Sequence, residues 1–285
     1  MSRVAYVNGR YLPWRDAGVS IEDRGYQFAD GVYEVCEVRD GHIVDLPRHF
    51  ARLARSLGEL RIRAPMTPAA LALVMREAVR RNHVSYGIIY LQITRGVARR
   101  DHAFPPAHVK PSIVVTARKL NFDRNQQTAA KGIAVITLPD NRWDRVDIKT
   151  VALLPNVLAR QAAREQGAYE AWYVDGNGHV TEGAASNAWI VTHEGRIVTR
   201  PNAHGILAGV TGLVVRDAIA ALQLTLDERP FTVAEAHAAR EAFVTASSQI
   251  VMPVVRIDGQ AVGDGQPGPV AMRLREAFHR FSVFS

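Results

Sequence analysis

One cysteine, Cys36, in a chain of 285 residues makes an intrachain disulfide impossible and points to a reducing compartment. No apolar run approaches the roughly 18 to 20 residues needed to span a bilayer. The first residues, Met1-Ser2-Arg3-Val4-Ala5-Tyr6, lack the basic start and apolar stretch of a signal peptide, so the expected location is the cytoplasm, with no membrane partner. Concentrated basic charge is missing as well. The net charge of +7 would suit an acidic substrate, a phosphate cofactor or nucleic acid. The basic residues, however, are scattered among acids, their longest runs are pairs such as Arg80-Arg81 and Arg99-Arg100, and no nucleic-acid-binding motif accompanies them. Nucleic acid is therefore not the expected partner. No repeat or low-complexity segment interrupts the chain, and no metal is called for.

What is present is enough apolar material, 47% of the residues against 22% charged, for two domains with substantial cores. The start reads as strand-rich. Asn8-Gly9 sits between apolar stretches in Val4 to Leu12, and Asp40-Gly41 interrupts an alternating run from Val32 to Val44; both are two-residue hairpin signals. Phe50, Leu53, Leu57 and Leu60 recur at helical spacing after Pro47, and Thr67-Pro68 opens a second helix with Leu71, Val74, Ala78 and Val79. Gly87 to Thr94 and Ser112 to Ala117 read as strands. The first α/β domain accordingly covers 1–120, the polar segment 121–131 is expected to link, and 132–285 forms the second domain.

In the second part, strand-like Ile133 to Leu138 precedes a helix from Leu153 to Gln166 that stops at Gly167. Asp175-Gly176-Asn177-Gly178 and Glu194-Gly195 each lie between strand candidates. A helix starts at Thr211, Thr232-Val233-Ala234-Glu235 has the capping-box pattern, and Pro269 to Phe281 closes the chain as a helix.

The chemistry is concentrated in a lysine and a glutamate. Lys149, in Asp147-Ile148-Lys149-Thr150, is followed 33 residues later by Glu182, in Thr181-Glu182-Gly183-Ala184-Ala185-Ser186-Asn187. A lysine amine can hold pyridoxal 5′-phosphate as a Schiff base, and a carboxylate can keep the pyridine nitrogen protonated so that the ring draws electrons from a substrate carbon. Alone, the lysine also fits a solvated surface group and the Thr-Glu-Gly a turn.

The flanking segments resolve this choice. Glu22-Asp23-Arg24-Gly25-Tyr26-Gln27-Phe28-Ala29-Asp30-Gly31-Val32-Tyr33-Glu34, then Ile93-Thr94-Arg95-Gly96, Asp147-Ile148-Lys149, Thr181-Glu182-Gly183 and Phe243-Val244-Thr245 follow one another in an order that resembles the class IV, or fold-type IV, pyridoxal phosphate enzymes. Among them the resemblance is closest to the D-amino acid aminotransferases, and it runs along nearly the whole chain.

The resemblance implies a two-domain α/β (α+β) fold, with a smaller N-terminal α/β domain and a larger, pseudobarrel-like C-terminal cofactor domain. It implies that Lys149 is the Schiff-base lysine and proton shuttle and that Glu182 accepts the pyridine N–H. Arg52, Gly209-Val210-Thr211 and Ser247 would bind the phosphate, through a planar donor fork, a helix start and a hydroxyl respectively. Leu207 would pack on a face of the ring, and Ser186 and Asn187 would support the site. Arg100-Asp101-His102 matches an Arg-x-His trap that, with a tyrosine matching Tyr33, binds the substrate α-carboxylate across a homodimer interface. Tyr33, Val35 and Ala208 would line the substrate pocket. Two positions depart from relatives: Ala246 stands where some carry a hydroxyl, and Arg99 where some carry proline.

The implied function is ping-pong transamination between a D-amino acid such as D-alanine and a 2-oxo acid such as 2-oxoglutarate. Same-fold alternatives are an aminodeoxychorismate lyase, a branched-chain L-amino acid aminotransferase and an (R)-amine transaminase. A different class would be an inactive anion- or nucleic-acid-binding protein on the same fold.

Overall fold

Two tight hairpins begin the chain, each set by its turn. In the computed structural model, which describes residues 3–202 and 205–285, β1 (Val4–Val7) pairs with β2 (Arg10–Pro13). Asn8 at φ 45° and Gly9 at φ 96° give the two positive-φ positions that a two-residue turn needs. A short helix, α1 (Arg24–Phe28), is capped by Asp23, whose Oδ1 accepts from Gly25 N at 2.8 Å. Strands β3 (Gly31–Arg39) and β4 (His42–Ile43) then meet through Asp40 and Gly41, again both at positive φ.

Helix α2 (Leu46–Glu59) carries Pro47 in its first turn, and α3 (Pro68–Arg81) is capped by Thr67 Oγ1. Strands β5 (Tyr86–Thr94) and β6 (Ser112–Lys119) complete an antiparallel sheet in the order β2-β1-β6-β5-β3-β4. The apolar stripes of α2 and α3, including Leu53, Leu57, Leu71 and Met75, pack with Val32, Cys36, Ile89 and Leu91 into one core. The chain groups into two compact units, and this first one, running to Asn121, also contains Ile148–Ala152 and Val283–Ser285. The former segment is bonded to β3: Tyr33 N donates to Lys149 O at 3.0 Å and Val151 N to Gly31 O at 3.1 Å.

The second unit comprises Phe122–Asp147 and Leu153–Ser282. It opens with α4 (Phe122–Lys131) and β7 (Ile133–Pro139). The polar stretch expected as a linker is thus helical over most of its length. Its single buried residue is Ala129, so a ten-residue helix shows almost no apolar period. Helix α5 (Leu154–Glu165) crosses from β7 to the parallel β8 (Glu170–Val174), and β9 (His179–Gly183) returns antiparallel.

Strands β10 (Asn187–Val191) and β11 (Ile197–Thr199) follow, then α6 (Val210–Ala221), β12 (Leu226–Glu228) and β13 (Phe231–Thr232). Next come α7 (Val233–His237), which has the predicted capping box, β14 (Glu241–Ala246), β15 (Ile250–Ile257), β16 (Gln260–Ala261) and α8 (Pro269–Ala277). The mixed sheet runs β12-β11-β10-β14-β15-β7-β8-β9-β13, with β16 on β15. α6 and α8 pack on it through Val214, Val215 and Leu274, with Phe278 just after α8, around Trp189, which stacks on Phe243 at 5.5 Å. A second cluster in this unit gathers Trp172, Phe231, Val244 and Met252. The mixed α/β class expected from the sequence is the one observed. No described helix is long and apolar enough to cross a membrane.

Candidate active site

In the first unit, β3 directs Val32, Glu34 and Cys36 into the core and leaves Tyr33 and Val35 less buried. Lys149 Nζ lies 4.3 Å from the Tyr33 ring centroid. Its backbone is fixed by the bond to Tyr33 and by a 3.4 Å donation from Lys149 N to Ser56 Oγ on α2. The lysine is therefore held at its Cα by β3 and α2, leaving the four-carbon stem to place the amine.

One and two turns before Ser56 on α2 stand Arg52 and His49, both turned to Glu34. Arg52 donates Nε to Glu34 Oε1 at 2.8 Å and Nη2 to Oε2 at 2.7 Å, and His49 Nδ1 donates to Oε2 at 2.7 Å. Burial pushes the Glu34 carboxyl up, but the Arg52 charge and the bonds from Arg52 and His49 outweigh it and hold the group at about 2. His49 goes down through burial, against the pull of Glu34, so a neutral ring donating from Nδ1 is the consistent form. The expected phosphate ligand Arg52 is thus locked in position by a carboxylate. Neither Glu34 nor His49 is marked as a site residue by the sequence, although Glu34 ends the segment Glu22 to Glu34 that carries the resemblance.

Arg100 and His102 come together on one ring. The Arg100 guanidinium lies 5.0 Å from the Phe28 centroid, and the His102 ring is 5.4 Å from it. Arg24, only 3% exposed, fixes the backbone of this loop by donating Nη1 to Asp101 O at 2.6 Å. Arg24 Nε is itself held by Asp30 Oδ2 at 2.8 Å, and Asp30 also receives both Nε and Nη2 of Arg95 at 2.7 and 2.9 Å. Burial opposes ionisation of Asp30, yet the two arginines leave its carboxyl below the ordinary range. Two of the segments singled out, Arg24 to Gly31 and Thr94-Arg95-Gly96, therefore form one brace beneath the exposed Arg100 and His102 side chains.

In the second unit Glu182 is 5% exposed at the end of β9. Leu207 N donates to both of its oxygens at 3.2 Å, Asn187 Nδ2 to Oε2 at 3.1 Å, and Arg142 Nη1 to Oε1 at 2.5 Å. Arg142 also grips Asp140 with Nε at 2.9 Å and Nη2 at 2.7 Å, and Thr181 Oγ1 donates to Asp140 Oδ2 at 2.8 Å. Arg142 and Asp140 were not anticipated; Asp140-Asn141-Arg142 just upstream of the lysine was their only sequence trace. Ser186 Oγ donates to Glu170 Oε2 at 3.2 Å.

The start of α6 suits an anion. Gly209 is its N-cap and supplies no side-chain cap, so the buried first turn of Val210, Thr211 and Gly212 presents backbone N–H groups and the positive end of the helix dipole. The helix begins one residue earlier than expected. A Cβ at Gly209 would lie 2.0 Å from Asn187 Oδ1, and Asn187 bonds both Glu182 and Leu207 O. Gly209→Ala is accordingly expected to shift Asn187, cost about 1–3 kcal/mol in urea unfolding and weaken cofactor retention on dialysis; unchanged retention would detach Gly209 from the site. Ser247 lies in the turn between β14 and β15, after Ala246. Trp189 Nε1 donates to Thr245 Oγ1 at 3.0 Å below that turn.

Each unit carries residues of a kind that pyridoxal phosphate needs: in the first an amine on an anchored backbone, in the second a buried carboxylate fixed by three donors and an uncapped helix start. The family model for amino-transferase class IV matches residues 31–257. The D-alanine aminotransferase of Staphylococcus haemolyticus is 40% identical over 276 residues, covering 97% of this chain and 96% of that protein. The D-alanine aminotransferase of Bacillus licheniformis is 38% identical over 270 residues, covering 95% and 94%. A solved T.th. branched-chain amino acid aminotransferase with pyridoxamine 5′-phosphate is 26% identical with a TM-score of 0.89, covering 98% of this chain and 94% of that one.

Proposed function

The chain belongs to the class IV aminotransferases, which are pyridoxal phosphate-dependent, and from that membership we propose that it moves an amino group from a D-amino acid such as D-alanine to a 2-oxo acid such as 2-oxoglutarate. The observation that carries this reading is likeness over nearly the full chain to D-alanine aminotransferases, 40% identical against 26% for the branched-chain enzyme of similar fold. The active unit in this reading is a homodimer.

Bound at the lysine, pyridoxal phosphate supplies an electron-withdrawing ring that weakens the bond from the substrate α-carbon to hydrogen and stores the amino group between the two half-reactions. Lys149 Nζ would hold the cofactor and would carry the proton taken from the substrate α-carbon. Glu182 would accept the pyridine N–H as a charge-assisted bond, and Arg142 keeps that carboxylate oriented. Leu207 would pack on the ring, while Arg52, the α6 start with Val210 and Thr211, and Ser247 would bind the phosphate. Tyr33, Arg100 and His102 bind the α-carboxylate, and the bidentate geometry available to an arginine fixes which face of the α-carbon meets the lysine.

This arrangement predicts that Arg100→Ala raises KM for D-alanine by about 10- to 100-fold, the worth of a charge-assisted bond. Steady-state kinetics with D-alanine at fixed 2-oxoglutarate measure it, and an unchanged KM would remove Arg100 from the substrate. The visible spectrum of the purified protein, scanned after adding D-alanine or, separately, L-alanine, tests the function itself. Bleaching by D-alanine alone, reversed by 2-oxoglutarate, is the expected result. Bleaching by L-amino acids alone refutes the reading, and pyruvate release with no acceptor present favours a lyase.

A further inference from the structure

The turn that carries Ser247 is held by a guanidinium from near the end of the chain. Arg275, on α8 and 7% exposed, has five N–H donors, and each makes a bond to a carbonyl oxygen. Nη1 donates to the backbone oxygens of Gln249 and Val251, both at 2.7 Å. Nη2 donates to Asn125 Oδ1 and, at 2.7 Å, to Gln126 Oε1, which also accepts from Nε at 3.2 Å. Both side-chain acceptors stand on α4, and Asn125 Nδ2 in turn donates to Ser248 O at 3.2 Å. The carbonyls of residues 248, 249 and 251 are therefore gripped from one side.

Between the two carbonyls bound by Nη1 lies Ile250, at φ 53°. A β-branched residue rarely adopts this left-handed region and stays there only where its surroundings fix it. The turn is closed on its other side by Gln249 N donating to Ala246 O at 3.0 Å. Binding the Gln249 carbonyl fixes the peptide plane that enters Ile250, and binding the Val251 carbonyl fixes the plane that leaves Val251, so the Ile250-Val251 stretch is pinned at both ends and the turn before it is held from that side.

We propose that Arg275 is a positioning residue for a phosphate seat at the β14–β15 turn: its donor fork holds Ile250 left-handed and so presents Ser247 to the cofactor phosphate. The proposal rests on the reading of Ser247 as a phosphate ligand. A planar fork is required, because a lysine, a point charge with three donors, cannot reach α4 and both carbonyls at once.

Binding of pyridoxal 5′-phosphate and of pyridoxal, which lacks the phosphate, to the full-length protein, followed by visible absorbance, separates this role from general stabilisation. Arg275→Met and Arg275→Lys are each expected to weaken the phosphorylated cofactor tenfold or more and pyridoxal less than twofold. Ile250→Gly, which lets the turn keep its conformation without the fork, is expected to recover most of the loss when combined with Arg275→Met. Equal weakening of both ligands, or no rescue by Ile250→Gly, overturns the proposal. Ser247→Ala serves as the control on the underlying reading. If it weakens pyridoxal 5′-phosphate while Arg275→Met does not, the seat stands and the clamp falls; if Ser247→Ala has no effect, the seat falls and the clamp with it.

Discussion

Replacing Lys149 with alanine is expected to reduce transamination by on the order of 10⁴-fold or more, because one substitution removes both the covalent anchor and the group that moves the α-proton. Stability should change little. The bonds that place residue 149 are made by its backbone, from Tyr33 N to its carbonyl and from its own N–H to Ser56 Oγ. Alanine keeps both, and loses the half-buried stem beyond Cβ, the amine and its contact with the Tyr33 ring. Three measurements on the variant check this: melting midpoint, visible spectrum and single-turnover rate with D-alanine. A folded protein with the visible band of the wild type missing and a residual rate raised by added methylamine is the expected combination. A variant retaining a tenth of the activity would show that another amine does the chemistry.

The candidate site residues that are legible in the sequence are those where a residue type and its chemistry coincide. Lys149, Glu182 and the Arg100-Asp101-His102 loop were read from motifs, and hairpins such as Asn8-Gly9 were read because a two-residue turn needs positive φ at both positions. What escaped were the residues acting on those groups from elsewhere. Glu34 looks like one polar residue in an alternating strand, and nothing local says that it faces the helices rather than solvent. Only the packing of α2 on β3 brings His49 and Arg52 to it. Arg142 and Arg275 are ordinary arginines in sequence and became visible through bonds spanning 40 residues to Glu182 and 149 to Gln126. α4 was missed because burial of Ala129 alone gives no period. β14 and β15 are buried on both faces, and such runs lack the alternation that identifies a strand.

Glu34→Gln should be among the most destabilising single changes in the first unit, at about 3–5 kcal/mol, since it leaves the buried Arg52 guanidinium without the carboxylate that balances it. The pH dependence identifies the cause. The folded Glu34 carboxyl is held at about 2 against an ordinary 4.5, so its contribution, on the order of 3 kcal/mol, is complete above 4.5 and is lost as pH falls toward 2. The gap between wild type and Glu34→Gln in urea unfolding should therefore narrow as pH falls from about 4.5 toward 2. His49 adds a separate signature. Its folded value lies below 6.5, so the unfolded chain takes up the proton first, and stability is lost as pH falls from 6.5. His49→Asn, whose amide can still donate to Glu34, should flatten that slope while leaving the acid limb in place. A gap between wild type and Glu34→Gln that does not narrow down to pH 3 would show that the carboxylate is not what stabilises the cluster. The same variant should also lose pyridoxal 5′-phosphate more readily than pyridoxal. With the Glu34 carboxylate gone, Arg52 keeps its charge but loses the two parallel bonds that fix its plane, and a phosphate reads the direction of that fork as well as its charge.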